Sequence, residues 1–301
     1  MPLPYRRILV ALDGSEEASA ALTRGIELAL AYDSVLAVCH VINHEYLKEL
    51  HKQSPDVMLE ALKQQGSDIV HQGKEQAEKA GLGDVRVFLK EGLPKMMIPE
   101  EIAEQFQADL IIAGGSGAGT FERKLFGTVS AGIVRRAPCD VWIIKNSDPT
   151  ALYRSILIAV DGSETATSAF YAGLNMAKRH HSQAQVSYVL NTPSLSSVEP
   201  YSKDIISIYK KRAGELLDRY RTLSEAEKPV LESIQFSVEH GAPKTIIPAS
   251  AAKKYHVDLI VTGASGISRA RRLILGSVSE ETVRKAHCDV LVVRNQHRPL
   301  P

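Results

Sequence analysis

The sequence predicts an α/β protein of two doubly wound domains, residues 1–148 and 149–301, each a parallel sheet with helices on both faces. Three observations carry this. Short continuous apolar runs alternate with longer amphipathic segments, the pattern of buried parallel strands joined by right-handed helical crossovers. The 301 residues exceed one ordinary domain and suit two. A glycine pattern occurs twice: Gly114, Gly117, Gly127 and Thr128 read Gly-x-x-Gly, nine residues, Gly-Ser/Thr, and Gly263, Gly266, Gly276 and Ser277 repeat it 149 positions later.

Strand one is the run at 7–12, which stops at Asp13-Gly14-Ser15-Glu16. Ser15 is a candidate N-cap for a helix through about residue 31, with Glu16 and Glu17 at its positive end. Residues 34–42 form the second strand. After a polar stretch from 43 to 55, residues 56–79 read as one long amphipathic helix ended by Gly81-Leu82-Gly83. Strand three is 85–89. Gly92-Leu93-Pro94 then leads into a helix with proline in its first turn, running to about residue 107. Strand four, 109–113, opens directly into the glycine pattern; a helix at 128–136 and strand five at 140–144 complete the half.

The second half repeats the course, with strands at 156–160, 184–190, 234–239, 259–262 and 290–293. Asp13 and Asp161 are 148 positions apart, whereas Gly92 and Gly241, Pro94 and Pro243, and Cys139 and Cys288 are 149 apart. One net inserted residue therefore falls between the first and third strands, in the polar loop or the long helix.

Composition excludes several classes. The content is 44% hydrophobic and 24% charged, that of an ordinary globular protein. No apolar run reaches the roughly 20 residues of a membrane span, and Met1–Tyr5 leads directly into a strand without room for a signal peptide, so a cytoplasmic protein is expected. A net charge of +1 argues against a nucleic-acid surface. Residues 1–148 carry 16 basic and 21 acidic side chains, and 149–301 carry 20 and 14, net charges of −5 and +6 that favour docking of the halves. Cys39, Cys139 and Cys288 contain no CxxC pair and are expected to be small buried side chains.

Each glycine pattern lies at the carboxyl end of a strand, where open α/β sheets hold ligands. Backbone N–H groups folded inward there, with the positive end of the next helix, make a nest for phosphate. The alternative is a tight turn, with Thr128 and Ser277 as plain N-caps. Retention of all four positions while 118–126 and 267–275 diverge favours the ligand. Asp13 and Asp161 end the first strands at the same edge, as acceptors for a ribose hydroxyl or partners of a phosphate-bound metal, or as Asx turns.

Together these residues resemble the universal stress protein family, twice in tandem. The resemblance rests on Val10–Ser15 and Ala159–Ser163, the Gly-x-Pro turns, and the Asp-Leu-Ile runs feeding each glycine pattern. It implies Rossmann-like five-stranded parallel sheets of order 3-2-1-4-5, with ATP or another adenine nucleotide at the carboxyl edge and Mg only through that nucleotide. Asp13 and the backbone of Val41 would meet ribose and adenine; Gly114, Gly117, Gly127, Thr128 and Val129 would hold phosphates. The matching positions are Asp161, Leu190, Gly263, Gly266, Gly276, Ser277 and Val278. The family also pairs domains through the last strand, implying an intramolecular pseudo-dimer of the halves and leaving a homodimer open. Arg269, Arg271 and Arg272 stand where the first half has Glu122, Arg123 and Lys124. They form a triphosphate grip or a solvated basic face.

Neither half has a Walker lysine after its glycines or a catalytic His–carboxylate unit; His40, His180, His181 and His240 fall singly or in one half only. The expectation is a nucleotide-responsive stress regulator with no catalytic residues. The alternatives are a protein-interaction scaffold with one or both nucleotide sites vestigial, or a slow ATP hydrolase.

Overall fold

The β-branched and apolar runs of the inner strands form because each is buried on both faces, whereas the edge strands at 85–91 and 233–240 are largely half-buried. Ile8, Leu9 and Val10 on strand one and Leu110, Ile111 and Ile112 on strand four are fully covered, as are their counterparts in the second half. A computed structural model describes residues 5–43, 55–116, 127–193, 202–225, 233–266 and 275–294. The chain divides into two compact units, an amino-terminal one, Pro4–Ala151, and a carboxy-terminal one containing Leu152–Pro301.

The amino-terminal unit runs β1 (Arg7–Ala11), α1 (Glu16–Tyr32), β2 (Val35–Ile42), α2 (Pro55–Lys79), β3 (Val85–Glu91), α3 (94–106), β4 (Leu110–Gly114), α4 (Thr128–Arg136) and β5 (Asp140–Ile144). Its strands are parallel in the order β3-β2-β1-β4-β5. The carboxy-terminal unit runs β6 (Ser155–Val160), α5 (Glu164–His180), β7 (Gln183–Leu190), α6 (Ser202–Glu225), β8 (Ser233–His240), α7 (243–254), β9 (Leu259–Gly263), α8 (Ser277–Lys285) and β10 (Asp289–Val293). Its parallel order, β10-β9-β6-β7-β8, is the same topology. Both sheets thus have the expected 3-2-1-4-5 order. No helix among the described residues is long and apolar enough to cross a membrane.

The proline-started helices differ from expectation in one respect. Met97–Ile102 and Ile246–Ala251 are wound as π-helix, with Ala103 N–H reaching Ile98 C=O. Pro99 and Pro248 lie inside these turns. Proline lacks an N–H and its ring would strike the carbonyl four residues back, so the wider turn relieves a clash an α-turn would impose.

Opposite the carboxyl edge, each sheet is tied by the same polar contacts, of which the Tyr–Asp pair is buried. Tyr5 Oη donates to Asp140 Oδ2 at 2.9 Å, and Tyr153 Oη donates to Asp289 Oδ2. Asp109 accepts from the N–H groups of Arg6 (2.7 Å) and Arg7 (3.1 Å), as Asp258 does from Arg154 (2.7 Å) and Ser155 (3.0 Å). The aspartates that begin each Asp-Leu-Ile run therefore fasten β4 to β1 and β9 to β6.

The two copies differ in how the second helix meets the sheet. Its buried stripe is Gly66, Val70, Gly73 and Ala77 in α2, and Ala213, Leu217, Tyr220 and Ser224 in α6. A Cβ on Gly73 would fall 2.6 Å from Leu12 Cδ1, so α2 lies directly on the sheet. The equivalent Tyr220 instead packs its ring 4.9 Å from Phe170. The offset between copies is 148 at β2, 147 along this helix and 149 at β3. The net insertion is therefore one residue lost before the helix and two gained after it.

Candidate functional site

At the carboxyl edge of each sheet the first strand ends in an aspartate that turns the chain. Asp13 Oδ1 accepts from Ser15 N–H (3.0 Å) and Ser15 Oγ (2.6 Å), and Asp161 Oδ1 accepts from Ser163 N–H (3.0 Å). The Asx turn is thus formed in both copies. Gly14 and Gly162 follow at φ of 81° and 88°, the left-handed region that favours glycine. Ser15 and Ser163 then cap α1 and α5, accepting from Ala18 N–H and Ala166 N–H at 3.1 and 3.2 Å.

The neighbouring strand ends at Gly114 or Gly263, against the first turn of that helix. A Cβ on Gly114 would lie 3.1 Å from Glu17 Cβ and 3.2 Å from Ala18 N; one on Gly263 would lie 2.8 Å from Thr165 C and 2.9 Å from Ala166 N. The ends of the glycine pattern, far apart in sequence, are joined by hydrogen bonds. Gly127 N–H donates to Gly115 C=O at 2.9 Å and Gly276 N–H to Ala264 C=O at 2.6 Å. Ser130 Oγ and Ser279 Oγ donate back to the carbonyls of Gly114 (2.6 Å) and Gly263 (2.5 Å). These serines were not singled out from sequence, although Gly-Thr-Val-Ser and Gly-Ser-Val-Ser carried the signal.

Thr128 and Ser277 are the first residues of α4 and α8, and Val129 and Val278 the second. The N-caps are Gly127 and Gly276, and neither cap supplies a side-chain acceptor to the N–H groups of the first turn. The alternative that Thr128 and Ser277 act as N-caps is therefore corrected: a residue inside the helix cannot cap it. Each of these helices opens with backbone donors and positive partial charge at the edge where the aspartate turn emerges.

In the carboxy-terminal unit the two halves of the site meet directly. A Cβ on Gly266 would stand 2.6 Å from Asp161 Oδ2, so a side chain there would have to displace that carboxylate. Gly117, its counterpart, lies outside the described residues, as do Arg269, Arg271, Arg272, Glu122, Arg123 and Lys124.

Val41 and Leu190 are not equivalent. Val41 pairs with Lys90 on β3 and Leu190 with His240 on β8, whereas Val189, paired with Glu239, occupies the register of Val41. The 149-residue offset that relates the glycine patterns does not hold at β7, where it is 148. Leu190 corresponds to Ile42; Leu190 and Ile42 accept from Gly241 and Gly92 N–H at 3.0 and 2.9 Å.

Tyr188 and Tyr220 distinguish the carboxy-terminal site. Both phenols are held above their ordinary pKa, by burial first; the negative charge of Asp161 acts in the same direction on each. Tyr220 Oη also lies 3.2 Å from Thr167 Oγ1. At the position of Tyr188 the amino-terminal unit has His40, whose Nδ1 is 2.7 Å from Leu12 C=O.

Comparison with known proteins places this geometry in a family. The model of the universal stress protein family matches twice, at residues 4–145 and 152–294. A Staphylococcus aureus (strain USA300) protein named as a universal stress protein is 40% identical over 147 residues, covering 49% of this chain and 87% of that protein. Among solved structures, a universal stress protein from Archaeoglobus fulgidus has a TM-score of 0.67 at 21% identity, covering 96% of this chain and 98% of its own. One from Pseudomonas aeruginosa has a TM-score of 0.65 at 21% identity over 96% and 93%. At these identities the two structures speak for the fold alone. With the family's domain matched once in each unit, the chain belongs to the universal stress protein family as a tandem pair.

Proposed function

We propose that the protein binds ATP or another adenine nucleotide at the carboxyl edge of its sheets and acts as a nucleotide-responsive regulator. The observation that carries this reading is the junction of the glycine turn with the start of α4 or α8. There a helix with no side-chain cap presents its first N–H groups beside the glycines, and in the carboxy-terminal unit Gly266 of the same turn stands against Asp161. Phosphate satisfies such donors and is favoured by the helix dipole. Asp161 Oδ2 and the half-buried phenol of Tyr188 add polar groups suited to a ribose. Gly114, Gly127, Thr128 and Val129, with Gly117, would hold phosphates in one copy, and Gly263, Gly266, Gly276, Ser277 and Val278 in the other. Asp13 and Asp161 would take ribose, and the backbones of Val41 and Val189 the base.

The reading is of a binder. Phosphoryl transfer to water needs a positioned nucleophile and an electrophilic clamp; the residues named above supply donors and acceptors for binding, and none of them is such a clamp. Mg, where needed, would arrive with the nucleotide.

The test is to denature freshly purified protein and quantify released nucleotide per chain by chromatography, then to titrate stripped protein with Mg-ATP. Adenine nucleotide released, or taken up on titration, is the expected result. None released and none taken up would replace this reading with a scaffold whose glycines serve turn geometry alone.

A further inference from the structure

At their described residues the two glycine turns are alike in backbone hydrogen bonding and unlike in charge. Glu17 occupies the position of Thr165, second in the helix that packs against the turn. Its carboxylate is held there: Ser116 Oγ, inside the Gly-x-x-Gly turn, donates to Glu17 Oε1 at 2.5 Å, and both side chains are half-buried. In the carboxy-terminal unit Thr165 Oγ1 donates to Ser265 C=O, so the matching contact is made by a neutral hydroxyl.

Helix stability does not explain Glu17. Glu16 and Glu164 already place an acid in the first turn of both helices, where one carboxylate complements the dipole. The second carboxylate of α1 is committed to the glycine turn instead. A phosphate nested on the N–H groups of that turn would lie beside a fixed negative charge, in partly buried surroundings where like charges repel more strongly than in water. The net charges of the halves, −5 for 1–148 and +6 for 149–301, act in the same direction.

We infer that Glu17 makes the two sites unequal: the carboxy-terminal site takes the nucleotide polyphosphate, and the amino-terminal glycine turn excludes it. This rests on the nucleotide-binding reading above. Glu17 is thus a specificity-determining residue, acting by charge on the turn that its carboxylate touches.

The experiment is equilibrium dialysis of the full chain against radiolabelled ATP with Mg2+, after removal of co-purified nucleotide and with far-UV circular dichroism as a check on folding. Wild-type protein should bind one ATP per chain. Glu17→Thr and Glu17→Gln should each raise this to two, the glutamine variant keeping the side chain's size and removing only its charge. Thr165→Glu should weaken the wild-type site about tenfold or more, the scale set by like charges a few ångströms apart, while Thr165→Gln should leave it within a few-fold. Two ATP per wild-type chain would overturn the inference, as would a stoichiometry of one in both Glu17 variants or equal effects of Thr165→Glu and Thr165→Gln. Zero binding in wild type and in every variant would instead overturn the nucleotide reading, and this inference with it.

Discussion

Gly263 tests whether the glycines at the strand ends are required before any ligand is considered. In Gly263→Ala the new Cβ would sit 2.8 Å from both Thr165 C and Thr165 Oγ1 and 2.9 Å from Ala166 N. An ordinary carbon contact begins near 3.4 Å, so the first turn of α5 must retreat by roughly 0.5 Å. The obstructing atoms are mainly backbone and cannot turn aside. That turn is held by Ser163, which accepts from Ala166 N–H at 3.2 Å, so the movement strains the cap as well. Overpacking of this kind costs about 1–3 kcal/mol, and the lower chain entropy of unfolded alanine returns about 0.5 kcal/mol. The net loss of about 0.5–2.5 kcal/mol corresponds to a fall of about 1–10 °C in the Tm of a domain this size. Gly114→Ala is the internal control, since its Cβ would meet Glu17 Cβ at 3.1 Å and Ala18 N at 3.2 Å, contacts that relax within a few tenths of an ångström. Differential scanning calorimetry on nucleotide-free protein should rank Gly263→Ala below Gly114→Ala, and Gly114→Ala at or slightly below wild type. A Gly263→Ala protein as stable as wild type would refute the packing argument and leave ligand binding as the sole reason for the residue.

Other substitutions test the same reasoning elsewhere. Gly132→Ala places a Cβ 2.5 Å from Lys95 Cβ and 2.9 Å from Lys95 C=O, and should destabilise by about 1–3 kcal/mol; Gly214→Ala, on α6 with open space around it, should stabilise by up to about 1 kcal/mol, both read from denaturant midpoints. Burial alone would raise the Glu239 pKa, but donors from Lys254, Tyr255 and Ser237 outweigh it and leave the carboxyl below its ordinary 4.5. A lowered carboxyl pKa contributes stability above its unfolded value, so the advantage of wild type over Glu239→Gln should be full at neutral pH and shrink as pH falls below 4.5, measured by urea unfolding across that range. Burial pushes the Cys39 thiol up to about 12; at pH 8 iodoacetamide should label it only after unfolding in guanidinium, as read by peptide mass spectrometry.

Much of the fold was legible because parallel strands buried on both faces must be continuously apolar, and each such run in this chain became a strand within a residue or two of its expected bounds. The π-turns of α3 and α7 were less visible. Pro99 and Pro248 warn of a break in an α-helix, but only the packing around them decides between a kink, a stop and a wider turn. The equivalence of Val41 with Leu190 failed for a related reason: an offset measured at the glycines was carried across a segment where the copies differ in length. Register is set by strand pairing, which no local pattern states. The split of the net insertion into one residue lost and two gained likewise became readable only from the buried stripes of α2 and α6.

The site was legible in its backbone and illegible in its charge. Glycines at fixed spacing announce themselves, since close approach of neighbouring atoms, as at Gly263, leaves few other choices, and the repeat doubled the signal. Glu17 carried no such mark, because a glutamate in the first turn of a helix is what dipole chemistry predicts anywhere. Only the fold brings Ser116, 99 positions away, to its carboxylate. The repeat itself then turns that contact into an argument. Two copies share topology, Asx turn, N-cap serine, glycine junction and back-bonding serine, so a difference between them at the turn stands against an internal control that a single domain lacks. Glu17 against Thr165 and Gly73 against Tyr220 are such differences, one of charge beside the glycine turn and one of bulk between helix and sheet. Both leave the strand order, the Asx turn and the N-cap serine intact.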